Sequence, residues 1–199
     1  MGISTEDRIK VAARRVFYKK GYAAARTVDL AREADVSTAM LNYYFRSKSR
    51  LFEVVMMESL SYFVMGLEEI LNDQSTDLAY KLELLALQCI DRMIEDPELP
   101  LFILSEMRNN HSELIGKLQI SGILKDSVFL CQLNQAGTQG KLRGTAPLHL
   151  VTNIMGLIFF PFIAKPLVSG SHGIDEMEFD IMVRERRTLI PFWIAMMIE

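Results

Sequence analysis

The chain has 199 residues, is 50% hydrophobic and has a formal net charge of −3 at pH 7, enough for one ordinary core or a small module joined to a larger domain. The charge is unevenly divided: residues 1–50 hold 11 lysines and arginines against 5 acids, and the remainder holds 11 against 20, so the head alone is suited to a polyanion. The longest apolar run, Ile154 to Ala164 with Pro161 inside it, falls short of the ~20 residues needed to cross a bilayer, which argues against a membrane partner.

The opening MGISTEDRIK lacks the apolar stretch of a secretory signal. Cys89 and Cys131 lie in apolar helical stretches without a C-x-x-C pattern, which reads as free thiols in a reducing compartment. A cytoplasmic protein is expected.

The first helix is predicted from Thr5 to Lys20, capped by Ser4, with Ile9, Ala12, Ala13, Val16 and Phe17 as its buried stripe and Gly21 as its stop. The second begins after Thr27 as cap and runs through Ala34, with Leu30, Ala31 and Ala34 inward. The turn is Asp35-Val36-Ser37. Ser37 caps the third helix, about Thr38 to Tyr44, and Val36 is placed to staple onto Leu41. Leu41 and Phe45 point to the core, whereas Thr38, Ala39, Asn42 and Tyr43 fall on the opposite side.

The fourth helix is predicted from the Ser47 cap to about Leu71. Lys48 sits in its first turn, where a cation opposes the helix dipole at a cost of a few tenths of a kcal/mol (~0.3 or more). A phosphate at that end would remove the cost. Asn72 to Asp77 is a loop. Further helices are expected over Leu78–Glu95, Leu101–Arg108, Glu113–Ala136, Ala146–Ala164 and Asp175–Ile198. The stretch from Ala146 is apolar around nearly its whole circumference, so one side should meet another subunit. No sustained alternation marks a strand, and the fold class is all-α: a three-helix head and a helical bundle body, nine helices or so.

No nucleophile elbow, P-loop, glycine-rich dinucleotide motif or zinc-protease motif is present, and the three histidines are scattered, so no enzyme, cofactor or metal site is expected. The specific signal is a helix–turn–helix over Thr27 to Leu51. Its second helix offers Ser37 and Thr38 hydroxyls suited to phosphate, Asn42 suited to adenine, and the amphipathic rings of Tyr43 and Tyr44.

The stretch VDLAREADVSTAMLNYYFRSKSRLF resembles the DNA-binding signature of the TetR family of bacterial transcriptional regulators. Matching elements are Ala31, Val36-Ser37, Leu41, Tyr44-Phe45, Lys48 and Leu51-Phe52; Asp35 replaces the usual turn glycine, and Asn42 stands where many members carry tyrosine. The resemblance implies a DNA-binding domain over 1–50 and a ligand-binding and dimerisation domain over 51–199. It implies phosphate contacts from Thr27 and Lys48, base-facing Thr38 and Asn42, and the aromatic pair Tyr43 and Tyr44. A dimer interface is implied from the last two long helices, with Ile154, Leu157, Ile158, Phe162, Met182, Leu189, Trp193 and Met196 as candidates. A pocket is implied among the preceding helices, for which the residues offer Cys89, Met93, Phe102, Met107, Phe129, Met155 and Phe159.

The function expected is a dimeric repressor of palindromic operator DNA, released by a small apolar or amphipathic effector. The alternative is a helical small-molecule-binding protein or enzyme with an incidental basic head.

Overall fold

The computed structural model describes residues 3–108 and 125–199, and the side chains of these except 105–108 and 171–172. The expected start of a helix at Glu113 and the Met107 side chain lie outside the described residues. Eleven helices are described, here numbered in chain order, and no strand occurs among the described residues. The chain divides into two compact units.

The first unit comprises the described residues up to Tyr62 together with residues 101–108. Helix α1 (Thr5–Ala24) starts on Ser4, whose hydroxyl accepts from the Asp7 amide at 3.1 Å. Its buried residues are Ile9, Ala12, Ala13, Val16 and Phe17, the stripe that helical spacing picks out. Gly21 breaks the helix as expected, at φ 70°, but the chain resumes one further turn to Ala24.

Helix α2 (Thr27–Glu33) begins one residue earlier than expected. Arg26 is the cap, its carbonyl accepting from Asp29 and Leu30, and Thr27 is the first helical residue. No side chain caps this end by hydrogen bonding, so Thr27 contributes an N-terminal amide rather than a capping hydroxyl.

Helix α2 ends in a Schellman motif: the Val36 amide donates to the Ala31 carbonyl at 3.0 Å and the Asp35 amide to Arg32 at 3.1 Å. Asp35 takes the left-handed position at φ 52°, which aspartate reaches at modest cost. Ser37 caps α3 (Thr38–Phe45), accepting from the Met40 amide at 3.1 Å. Arg46, at φ 61°, closes a tight three-residue turn through Ser47 N–H to the Phe45 carbonyl. Ser47 then caps α4 (Lys48–Val64). Phe17 and Phe52 meet edge to face at 5.0 Å, half-buried Tyr22 tilts against Phe52 at 4.7 Å, and Phe102 of α7 (Leu99–Arg108) contacts Tyr18 and Phe52 with ring centroids 4.5 and 5.9 Å apart.

The second unit comprises residues 63–100 and the described residues from 125. The expected single helix to Leu71 is interrupted here. Gly66, at φ 86°, separates α4 from α5 (Leu67–Asn72). A left-handed residue cannot continue an α-helix, and glycine adopts that conformation without a Cβ penalty.

Helix α6 (Leu78–Glu95) starts on the Asp77 side-chain cap. It packs on α9 (Pro147–Ile163), α11 (Glu176–Met197), α5 and α8 (Val128–Thr138). Short α10 (Lys165–His172) fills the gap between the helices expected to end at Ala164 and to begin at Asp175, with Pro166 in its first turn where proline is tolerated. A full capping box of Asp175 and Glu178 opens α11.

Two interior devices hold this unit together. Lys81 is fully buried, and its ammonium donates to the carbonyls of Asp73 and Thr76 and to the Thr76 hydroxyl. That ties the loop before α6 down, with the Asp73 carboxylate close enough to feel the ammonium charge. Pro161 lacks the N–H that would bond the Leu157 carbonyl four residues back. Arg186 of α11 supplies the missing donors, Nη2 at 2.7 Å and Nε at 3.2 Å, while its guanidinium lies 5.3 Å from the Trp193 ring centre. Burial lowers the pKa of this arginine from its ordinary value.

Candidate functional site

The head presents one face of α3 to solvent because its other face is consumed by packing. Leu41 and Phe45 are buried, while Thr38, Ala39, Asn42 and Tyr43 are exposed with Ser37 just before them. Tyr43 is 81% exposed and Tyr44 40%. Their rings meet edge to face at 5.4 Å, with Tyr44 also beside Phe45. Tyr43 is therefore the outer ring of the pair.

Arg26, which caps α2, and Arg46, between α3 and α4, are also exposed. Sequence offers one signal for them, a basic residue just before α2 and another just after α3. Neighbouring charge is partly compensated. Lys20 donates to Asp29 at 2.8 Å and holds that carboxyl below its ordinary pKa, and Arg8 reaches the Asp35 carbonyl at 3.5 Å.

Lys48 has a more occupied position than its sequence suggests. Its ammonium donates to the carbonyls of Tyr22 and Ala25, each at 3.0 Å, and lies 4.2 Å from the Tyr22 ring centre. Those partners offset the cost of a cation at a helix N-terminus. Of three ammonium donors, two are committed within the chain. The same bonds fasten the start of α4 to the α1–α2 corner.

In the second unit, a cavity of about 220 Å³ lies among α4, α5, α6, α8 and α9. Its lining is apolar: Phe63 and Val64, Leu67 and Leu71, Leu82, Leu85, Ala86 and Cys89, Phe129, then Val151, Ile154, Met155, Ile158 and Phe159. Four of the seven ligand candidates thus come together there. Met93 does not line it and is fully buried; Phe102 belongs to the aromatic cluster of the first unit. Helical spacing marks which residues turn inward but not whether they meet a void or a neighbour. Phe63, Leu67 and Leu85 were not among the candidates, since only the tertiary arrangement gathers them. Burial pushes the Cys89 thiol up to about 12, which leaves it a neutral apolar wall at physiological pH.

The interface candidates separate in the same way. Ile154, Ile158 and Phe162 are buried in this chain's own core, and the first two line the cavity. Leu157, Met182 and Trp193 are half-buried. Leu189 and Met196 are exposed, in company with Phe160, Ile181 and Phe192, which the sequence reading did not single out. Because α9 is apolar all round, its composition cannot say which side faces its own core.

Among the described residues no three His, Cys, Asp or Glu side chains gather as a metal site would require, and no helix is long and apolar enough to cross a membrane.

Comparison with known proteins agrees with the geometry. Residues 9–55, which contain α2, α3 and the start of α4, match the family model of bacterial regulatory proteins, tetR family. The probable HTH-type transcriptional regulator YttP of Bacillus subtilis (strain 168) is 25% identical over 171 residues, covering 85% of this chain and 82% of that one. The fold is shared with the transcriptional regulator SCO4942 of Streptomyces coelicolor, at a TM-score of 0.68 and 23% identity over 98% of both chains. It is shared too with FadR of Bacillus subtilis in complex with stearoyl-CoA, at a TM-score of 0.57 and 20% identity over 92% of this chain and 96% of that one. Residues 9–55 thus carry a domain that matches the tetR family of bacterial regulatory proteins, and the chain as a whole is similar to a probable HTH-type transcriptional regulator.

Proposed function

We propose that this transcriptional regulator binds palindromic operator DNA as a homodimer, acts as a cytoplasmic repressor without catalysis, and releases DNA when an apolar or amphipathic molecule fills its cavity. The observation that carries the DNA reading is α3: one side is sealed by Leu41 and Phe45, and the other offers Thr38, Ala39, Asn42 and Tyr43 to solvent. Asn42 reads a base edge, while Ser37, Thr38 and the tyrosines hold sugar and phosphate. Thr27 and Lys48 contribute helix-start amides and one remaining ammonium donor, and Arg26 and Arg46 add charge to the backbone contacts. The functional division is a DNA-binding head over 1–50 and a ligand-binding, dimerising body over 51–199.

Self-association is supported by the large apolar groups left exposed on α9 and α11, Phe160, Leu189, Phe192 and Met196. Paired heads reach successive major grooves when their centres are about 34–36 Å apart.

The effector class follows from the lining, which supplies no charged group and only a protonated thiol as polar handle. A hydrocarbon chain fits that chemistry, and the stearoyl-CoA held by the similarly folded FadR supports a long acyl chain.

The test is selection of bound sequences from a random duplex pool by the full chain, with and without stearoyl-CoA. A palindromic consensus that loses occupancy with the acyl compound is expected. Failure to enrich any sequence at physiological salt would favour a binding protein without a DNA role.

A further inference from the structure

The cavity is bounded on one side by the interruption between α4 and α5, and a side chain from α6 holds that interruption. Phe63 and Val64, the last residues of α4, and Leu67, the first of α5, all line the cavity. Between them stand Met65 and the left-handed Gly66. The Met65 carbonyl accepts a hydrogen bond from Gln88 Nε2 at 2.6 Å. Gln88 sits on α6 next to the lining residue Cys89 and three residues after Leu85. A Cβ placed on Gly66 would come within 3.2 Å of the same Gln88 nitrogen. The latch, the break and the wall are thus one construction. Whatever occupies the cavity presses on the residues either side of the break, and the Gln88 amide sets the cost of changing it.

We infer that the Gln88–Met65 hydrogen bond at Gly66 is the latch through which cavity occupancy is passed to α4, making Gln88 a positioning residue for effector response rather than a ligand contact. This rests on the cavity being the effector site.

The latch has two arrangements with a physical basis for each. With Gln88 bonded to Met65, the left-handed glycine keeps α4 and α5 as separate segments. With that bond lost, the backbone around residue 66 is released, and a helical conformation there would join them. A ligand that separates Phe63 and Leu67 from Leu85 and Cys89 strains the hydrogen bond between their neighbours. Because α4 runs from Lys48, directly after α3, to Val64, a change at residue 66 acts at the far end of the helix that follows α3 in the chain. Only a differential effect on the two arrangements gives a response.

The test compares the full-length wild type, Gln88→Leu and Gly66→Ala. Operator affinity is measured with and without stearoyl-CoA, and amide hydrogen exchange is followed over residues 63–70. Gln88→Leu keeps the bulk and removes the donor; Gly66→Ala disfavours the left-handed break. In wild type, the acyl probe is expected to weaken operator binding about tenfold, within the ~5–150-fold range usual for coupled sites, and to alter exchange at 63–70. Both variants should show that altered exchange before any probe is added. Their ratio of affinities with and without probe should shrink at least about threefold, while displacement of a fluorescent fatty acid from the cavity stays near wild type.

Wild-type ratios and wild-type exchange in Gln88→Leu overturn the latch, whatever Gly66→Ala does. If stearoyl-CoA does not enter the wild-type cavity, the acyl assignment alone fails. Cys89→Phe then serves as a built-in occupant, and the operator affinity of Cys89→Phe against the Cys89→Phe/Gln88→Leu pair decides. An effect of Cys89→Phe that persists undiminished without Gln88 overturns the proposal; one that disappears supports it.

Discussion

Asn42 and Lys48 sit six residues apart and should fail in different ways when altered. Asn42 is exposed on a face that makes no demand on the core, so Asn42→Ala should leave the melting temperature unchanged and relax base preference at one position of the selected site. A good base contact carries about 1–3 kcal/mol of discrimination, and an unaltered consensus would remove Asn42 from the readout. Lys48→Ala should weaken binding to all sequences alike and reduce the salt slope by about 1. It should also lower the melting temperature, because two carbonyls and the Tyr22 ring lose their partner. An unchanged melting temperature would contradict the clasp; unchanged affinity at low salt would contradict the phosphate contact.

Acid sensitivity has a residue-level cause as well. The Asp7 carboxyl is held below its ordinary value of 3.8, first by the Ser4 hydroxyl and then by Lys10. A depressed folded-state pKa contributes stability above the unfolded value, and that contribution drains away as pH falls through the folded one. Asp7→Asn should therefore be less stable than wild type in urea at about pH 5, with the gap narrowing by about pH 3. A gap that widens on acidification would contradict the assignment.

At the scale of elements, the pairing of Pro161 with Arg186 joins α9 to α11 by a rule that can be turned around. Arg186→Met leaves the Leu157 carbonyl without either of its donors, a loss of about 1–3 kcal/mol for a buried acceptor. Pro161→Ala restores a main-chain N–H to the helix and offers that carbonyl its usual partner. In urea denaturation, Arg186→Met should thus cost less in the Pro161→Ala background than in wild type. Strict additivity would mean that the arginine acts through Trp193 alone.

Much of this level was legible from sequence. The α1 stripe, the Ser37 cap, the Asp175–Glu178 box and the α6 boundaries depend on local spacing and local hydrogen bonding, which sequence order carries directly. The break at Gly66 and the extra helix α10 were not. One depends on a glycine adopting a left-handed conformation opposite Gln88; the other places Pro166 in a first turn rather than after a last one. Buried Lys81 escaped for a related reason, since two of its three acceptors are carbonyls of a loop, which leave no mark in side-chain identity.

For the whole molecule, the decisive property is what the two long terminal helices leave uncovered. Phe160 and Phe192 are each 61% exposed, a poor state for two large rings in water. Sedimentation at micromolar concentration should show a dimer, and Phe160→Glu with Phe192→Glu should shift it to monomer and abolish tight operator binding while each chain stays helical. A wild-type monomer that still binds a palindrome tightly would contradict the paired-head arrangement. Of the interface residues expected from sequence, Ile154, Ile158 and Phe162 serve this chain's own core. An all-apolar circumference cannot distinguish inside from outside, whereas the head's mixed circumference could. That contrast explains why α3 was readable to the residue and α9 was not.

Cys89 gives the molecule a consequence of a different kind. Its thiol stays protonated far above neutral pH and forms part of the cavity wall, whereas Cys131 is exposed. Alkylating reagents consume thiolate, so the two cysteines should be modified on well-separated timescales, with Cys131 as an internal clock. The slower modification, followed by intact mass, turns the unaltered chain into its own occupancy gauge, because any guest that fills the cavity must slow Cys89 further while leaving the clock untouched.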